Sequence, residues 1–172
     1  GTWQLNYHAD LIFELSETFD ISVGLGRAFG EYRLGDVLFY QGRSDSITVD
    51  YRADVSMTTI PIKINFNSSI SDVFDLEVVP SVELNFIDNY NSLFIPEDPA
   101  IESFERDYSE FIQEFNYSVG IHVGGTFWIA DRWGLFVRGG IKYMLNQIIT
   151  RDNFPRETLL NVGANTGVRF NY

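Results

Sequence analysis

Leu160-Asn161-Val162-Gly163-Ala164-Asn165-Thr166-Gly167-Val168-Arg169-Phe170-Asn171-Tyr172 alternates without a fault. Leu160, Val162, Ala164, Thr166, Val168, Phe170 and Tyr172 point one way, and Asn161, Gly163, Asn165, Gly167, Arg169 and Asn171 the other. A period of two marks a β-strand with unlike faces. A long strand of this kind that stops on an aromatic has the form of the last strand of a bacterial outer-membrane barrel, whose alternate residues face lipid and lumen.

Composition agrees with that reading. The 172 residues make one domain, 45% hydrophobic and 16% aromatic, yet no stretch approaches the ~20 apolar residues of a spanning helix. Any span must be built of strands. The absence of cysteine removes disulfides, thiolate metal sites and cysteine nucleophiles. A net charge of −12 without a basic stripe argues against nucleic acid as a partner, because phosphates need clustered cations. The chain opens at Gly1-Thr2-Trp3 without a basic and apolar leader, and removal of a secretory signal is the expectation.

Upstream the same period recurs. Trp3 to Leu15 puts Leu5, Tyr7, Ala9, Leu11 and Phe13 opposite Gln4, Asn6, His8, Asp10 and Glu14. After a turn at 17–20, Ile21, Val23, Leu25 and Phe29 oppose Ser22, Gly24, Gly26, Ala28 and Gly30. A loop over 35–47 precedes a strand through Tyr51, Ala53, Val55 and Met57. Its apolar phase then passes to Ile60, Ile62, Ile64 and Phe66 beside Pro61, which predicts a β-bulge near Thr59. A fourth strand follows at 74–86, interrupted by Pro80, a fifth through Phe115 to Phe127, and a sixth through Leu135 to Leu145. Connections 17–20, 67–73 and 130–132 are short, and 35–47, 87–110 and 146–157 are long, the asymmetry of periplasmic turns and extracellular loops. Seven strands result. Antiparallel closure needs an even number, so an eight-stranded barrel is expected, its first ascending strand lying before Gly1.

The stretch Ile60-Pro61-Ile62-Lys63-Ile64-Asn65-Phe66, Leu76 to Phe86, the glycine-bearing strands from Tyr117 to Tyr143, and the close from Gly163 to Tyr172 resemble the outer-membrane β-barrel domain family of Bacteroidota, the PorT-like or porin-family small barrels. The resemblance implies an ascending strand before Trp3 and an outer-membrane address. Most members of that family have no assigned activity; some are linked to type IX secretion or to nutrient-uptake assemblies, which the resemblance allows without selecting either.

The face opposite the apolar one carries Asp10, Glu14, Arg52, Asp54, Lys63, Asp75, Glu77, Glu83, Glu114, Arg138, Lys142 and Arg169. Seven acids meet five bases, which predicts a paired network filling a narrow lumen, because buried charges must be paired. At about eight strands an interior is only wide enough for side chains, so the lumen is read as plugged. His8 and His122 share that phase and read as lumen hydrogen-bonding residues; neither a nucleophile motif nor metal-ligand spacing accompanies them. Arg27 falls in the lipid phase. The 87–110 segment sets seven carboxylates against Arg106, a net −6. Ile101, Phe104, Tyr108, Phe111, Ile112 and Phe115 recur there at helical spacing behind Asp98-Pro99, predicting a short amphipathic helix that lids the barrel or docks a partner.

The expectation is therefore an integral outer-membrane barrel acting as a structural or accessory subunit, without catalytic residues, cofactor or metal. Its partners are outer-membrane lipid, other outer-membrane proteins and the barrel-insertion machinery, which reads the terminal aromatic pattern of Phe170 and Tyr172. The alternatives are a barrel enzyme acting on lipid or peptide at the outer leaflet, with His8 or His122 as base, and a soluble ligand-binding barrel with the apolar face turned inward.

Overall fold

The computed structural model describes residues 2–40, 46–105, 112–146 and 160–170. These form an all-β antiparallel up-and-down sheet of eight strands: β1 Thr2–Ser16, β2 Phe19–Tyr40, β3 Ser46–Ser71, β4 Phe74–Pro96, β5 Phe104–Glu105, β6 Phe115–Ala130, β7 Trp133–Met144 and β8 Leu160–Phe170. The spatial order is β1-β2-β3-β4-β6-β7-β8, with the two-residue β5 paired to the far end of β4. Turns at Glu17–Thr18, Asp72–Val73 and Asp131–Arg132 join consecutive strands at one end, which we call the turn end.

The sheet rolls without closing. Arg169 of β8 reaches Asp20 of β2 and Glu77 of β4, and Lys142 of β7 reaches Glu83 of β4, so side chains on one face meet across non-neighbouring strands. β1 and β8 do not pair and form the two edges.

Two tiers of opposite polarity divide the rolled sheet. Near the turn end the convex face is apolar and exposed: Leu11, Val23, Ile62, Val82, Ile121, Val137 and Val168 all stand on it. Its concave face there is polar, with Asp20, Ser22, Lys63, Asn65, Glu77 and Ser81 buried. Beyond the level where Ala28, Met57 and Ile87 meet, the arrangement reverses. Val49, Tyr51, Ala53, Val55, Met57 and Phe94 are buried on the concave side, while Arg33, Arg52 and Asp54 stand outside. This distal tier, built on the long strands β2, β3 and β4, is a hood with its own apolar core. The stacked rings of Phe94 and Phe104, 5.3 Å apart, complete it.

The reversal corrects the sequence reading of β3. There is no bulge at Thr59: the β2–β3 pairing keeps one register from Phe19↔Phe66 to Leu34↔Tyr51. The odd residues of β3 face inward throughout, so the strand changes composition where a slip in phase was expected. Arg52 and Asp54 consequently lie outside the rolled sheet and are not interior charges. In β4 a bulge does occur, between Ser56↔Asn89 and Met57↔Ile87. Asp88 is the extra residue, and by it Ile87 and Tyr90 both face the hood core.

The strands also run further than expected. Residues 35–40, 46–47, 67–71 and 87–96 belong to ladders. The expected helix is absent from its described part: Ala100 N–H donates to Asp98 Oδ1, Ile101 N–H to the Asp98 carbonyl, and Phe104 pairs with Phe94. Phe104 packs there on the hood as a strand partner of Phe94. Tyr108 and Phe111 lie outside the described residues.

Because Met57 is fully buried in the hood core, Met57→Ala should cost about 2–5 kcal/mol. Ser56→Ala, on the outer face one residue away, should stay within about 0.5 kcal/mol. Urea unfolding of both variants in detergent micelles measures the difference; equal costs would mean that the hood has no apolar core.

Candidate functional site

The candidate site is the polar interior of the lower tier. Strand alternation delivers its side chains, and the roll of the sheet brings them together. At the turn end Glu77 on β4 is fully buried and receives three donors: Thr126 Oγ1 at 2.6 Å, Arg138 Nε at 2.6 Å and Arg169 Nη1 at 3.2 Å. Arg169 Nη2 donates at 2.8 Å to Asp20 Oδ2, which also accepts from Asn67 Nδ2 at 2.8 Å. Asn65 donates its amide to the other oxygen of Asp20. Two carboxylates and two guanidiniums thus join four strands, β2, β4, β7 and β8, and the Phe136 ring lies against Arg138 with its centroid 4.5 Å from the guanidinium carbon.

Higher in the interior, Lys63 Nζ donates at 2.7 Å to Asp10 and stands 2.5 Å from His8 Nε2, with His8 and Asp10 3.4 Å apart. Lys142 Nζ donates at 2.9 Å to Glu83. The backbones opposite are glycine for a steric reason. A Cβ on Gly24 or Gly26 would strike Asp10 or His8 across the β1–β2 ladder, and one on Gly140 would strike the His122 ring. The charged and imidazole side chains of this layer therefore lie directly against the glycine backbones across the ladder.

Of the twelve interior charges expected from alternation, seven meet in these contacts: Asp10, Lys63, Glu77, Glu83, Arg138, Lys142 and Arg169. Glu14 shares their face but is exposed at the turn end. Asp75 is held apart by the turn, accepting from Trp128 Nε1 at 2.6 Å and Ser69 Oγ at 2.7 Å. Glu114 is exposed at the distal rim, where its carbonyl accepts from Ile87 N–H at 2.8 Å. Arg52 and Asp54 lie outside, where Arg52 pairs with Glu31 at 2.5 Å and stands 3.9 Å from Asp54.

Sequence reading missed Asp20, which was assigned to the 17–20 turn. Its even number places it in phase with Ser22 and Gly24, and that was the available signal. Arg27, in the apolar outer phase, donates at 2.9 Å to Asp88, which also accepts from Thr58 Oγ1 at 3.0 Å. The β4 bulge thus supplies the anion that an outward arginine needs. Phe170 packs on Trp133 at 4.7 Å, Ile101 is half-buried beside its turn, and Tyr172 lies outside the described residues. Among the described residues no group of three or more His, Asp or Glu is placed to hold a metal ion.

Removing one partner of a buried ion pair leaves an uncompensated charge. Glu77→Gln should therefore destabilise the sheet by about 3–5 kcal/mol, whereas replacing Asp20, Glu77, Arg138 and Arg169 together with apolar residues of similar volume should recover most of the loss. Asp75→Asn keeps one oxygen to accept from Trp128 Nε1 and turns its NH2 to Ser69 Oγ, a hydroxyl that can accept, and should cost no more than about 1 kcal/mol. Equilibrium unfolding of the three variants in detergent decides the point, and a Glu77→Gln loss as small as that of Asp75→Asn would show that the network is solvated.

The chain matches no family model, and neither a curated protein nor a solved structure is similar to it at a significant level.

Proposed function

We propose that the chain is an integral outer-membrane β-barrel with a plugged lumen, acting as a non-enzymatic structural or accessory subunit of an outer-membrane assembly. The observation that carries this reading is the outer surface of the lower tier. Two rows of aromatics bound it. Phe19, Phe66, Phe74, Phe127, Trp133 and Phe170 form the row at the turn end, with close ring pairs Phe19–Phe66, Phe74–Phe127 and Trp133–Phe170. Tyr7, Phe29, Phe86, Phe115 and Tyr117 form the upper row.

Along β2 the rows are ten residues apart, Phe19 to Phe29. That is roughly 33 Å of strand at ~3.3 Å per residue, or about 25 Å of height at a ~40° tilt, the thickness of the apolar band of outer-membrane barrels. Between the rows the convex side chains are almost all Leu, Val and Ile. The first charges, Arg27 and Asp88, pair with each other at the upper row.

A soluble barrel would turn its apolar residues inward along the whole strand. In this chain only the hood does so. The hood is what strands continuing beyond a bilayer into water require, and on this reading it is the extracellular part. The lower interior, which carries ion pairs packed against glycine backbones, supports a plugged lumen over a pore. The family resemblance carries the proposal further, to secretion or nutrient-uptake assemblies, with lipid and the insertion machinery as first partners.

The protein should stay with the outer membrane after a carbonate wash and need detergent for release. Val82→Arg, on the outer face between the aromatic rows, should cost about 2–4 kcal/mol of folding into bilayers. The purified protein in planar bilayers should give no steady conductance. Release without detergent, or tolerance of Val82→Arg equal to that of Asp50→Arg on the hood, would overturn the membrane reading.

A further inference from the structure

We infer that the turn end carries a docking groove for a basic segment of a partner polypeptide, with an arginine or lysine side chain of that segment filling it. The inference rests on the accessory-subunit reading and gives that subunit's partner a chemistry. Asp72 and Val73, the turn between β3 and β4, line a groove of about 380 Å³ together with Trp128, Ile129, Ala130 and Asp131, the end of β6 and the turn after it. That is the small end of the roughly 300–1,000 Å³ that ligand pockets span, a size for a side chain more than for a large ligand.

Turn chemistry does not ask for this lining. Tight turns favour Gly, Pro, Asn, Asp and Ser, and the remaining turn of this end, Glu17–Thr18, is polar throughout. Val73 and Ile129 instead stand 49% and 65% exposed. Ile129 is two residues past Phe127 of the lower aromatic row, roughly 5 Å further from mid-bilayer at ~3.3 Å per residue and a ~40° tilt, and so outside the apolar band. The walls of the groove are tied together. Trp128 N–H donates to the Val73 carbonyl at 2.9 Å, and its indole Nε1–H donates to Asp75 at 2.6 Å. Ser69 Oγ donates to the other oxygen of that carboxylate at 2.7 Å, so β3, β4 and β6 share one set of bonds. A groove formed in advance spends little ordering entropy on binding.

The lining selects its occupant. Val73 and Ile129 suit an aliphatic stem, and Asp72 and Asp131 bring one carboxylate from each turn to a charged head. Lysine and arginine combine the two, laying their methylenes on apolar surface while the head stays near water. The indole of Trp128 adds an aromatic group that attracts cations. Charge extends the preference beyond one side chain, because among the described residues the turn end exposes Glu14, Glu17, Asp72 and Asp131 against Arg132. A basic segment meets complementary charge there, and an acidic one is repelled. A second copy presents the same carboxylates, so like charge opposes it as the occupant. Lipid tails would cover Val73 and Ile129 and leave the two aspartates without a countercharge.

The test is titration of the protein in non-ionic micelles with a synthetic peptide of alternating arginine and serine, read through the indole N–H resonance of Trp128 in protein made with isotope-labelled tryptophan. The Trp128 resonance should shift saturably while that of Trp3 stays in place, and a peptide of alternating glutamate and serine should move neither. Asp72→Asn combined with Asp131→Asn should weaken binding about fivefold through the loss of two exposed ion pairs, and Glu17→Gln on the neighbouring turn by less than about twofold. Unchanged affinity in the double variant, an equal loss in Glu17→Gln, or an equal shift by the acidic peptide would overturn the proposal. A Trp128 shift that follows protein concentration without peptide would make a second copy the occupant, and broadening of that resonance by an acyl-spin-labelled lipid would give the groove to lipid; either outcome also overturns it. Val82→Arg, on the outer wall away from the groove, keeps the two readings apart: saturable peptide binding by a protein that tolerates Val82→Arg would leave the groove standing and sink the membrane reading instead.

Discussion

Arg138 and Arg169 converge on one carboxylate, Glu77, and the shape of the sheet depends on that meeting. A buried acid needs its countercharges, and no neighbour within the β3–β4–β6 ladder supplies one. They come from β7 and β8, two and three strands away along the path. Flattening the sheet would separate them and leave charges in an apolar surrounding, at a cost of several kcal/mol each. Asp20 extends the same contact to β2, so that Arg169 draws the last strand towards the first hairpin. The network is thus a reason for curvature as well as a filling for the interior.

The second organising feature is the level at which the faces exchange polarity. Three strands make the exchange in different ways. In β3 the register stays constant and the residue types change, Thr58 being the last polar outward residue before Ile60, Ile62 and Ile64. In β4 the apolar residues stay on even numbers and the Asp88 bulge moves them from outside to inside. β2 passes from Phe29 to Glu31 and Arg33 on its outer face, with a second irregularity at Gly35 and Asp36. Ala28, Met57 and Ile87 are neighbours in the ladder, so the three changes fall on one line across the sheet. Arg27 and Asp88 lie just beside it.

Much of this was legible in the sequence, and the failures have physical causes. Alternation located all seven long strands and two of the tight turns, because each element has unlike faces. It put Asp10, Lys63, Glu77, Glu83, Arg138, Lys142 and Arg169 in one interior. It misplaced Arg52 and Asp54 because a period of two fixes which residues share a face and is silent on which face meets water. Tyr51, Ala53, Val55 and Met57 are as apolar as Ile60, Ile62 and Ile64, and only the roll of the sheet distinguishes them. Reading the apolar phase as continuous created the bulge at Thr59, where none exists, and hid the one at Asp88. In the 98–105 stretch, helical spacing of aromatics was outweighed by the unpaired outer edge of β4 and the open hood core, which take Phe104 as a strand partner.

The hood has a consequence for biogenesis. On the membrane reading, the tips of β2, β3 and β4 carry Glu31, Arg33, Arg52 and Asp54 to the far side of the bilayer, and their ladders leave these charges facing outward. A barrel that closed before insertion would have to drag this ring through hydrocarbon. If the tips crossed while the sheet was still open, the charges could travel on the hydrated side of an unfinished wall and turn outward only on arrival. The order of events would then be translocation first and closure last, and the rate of insertion would be governed by the charge of the distal tier more than by the apolarity of the band.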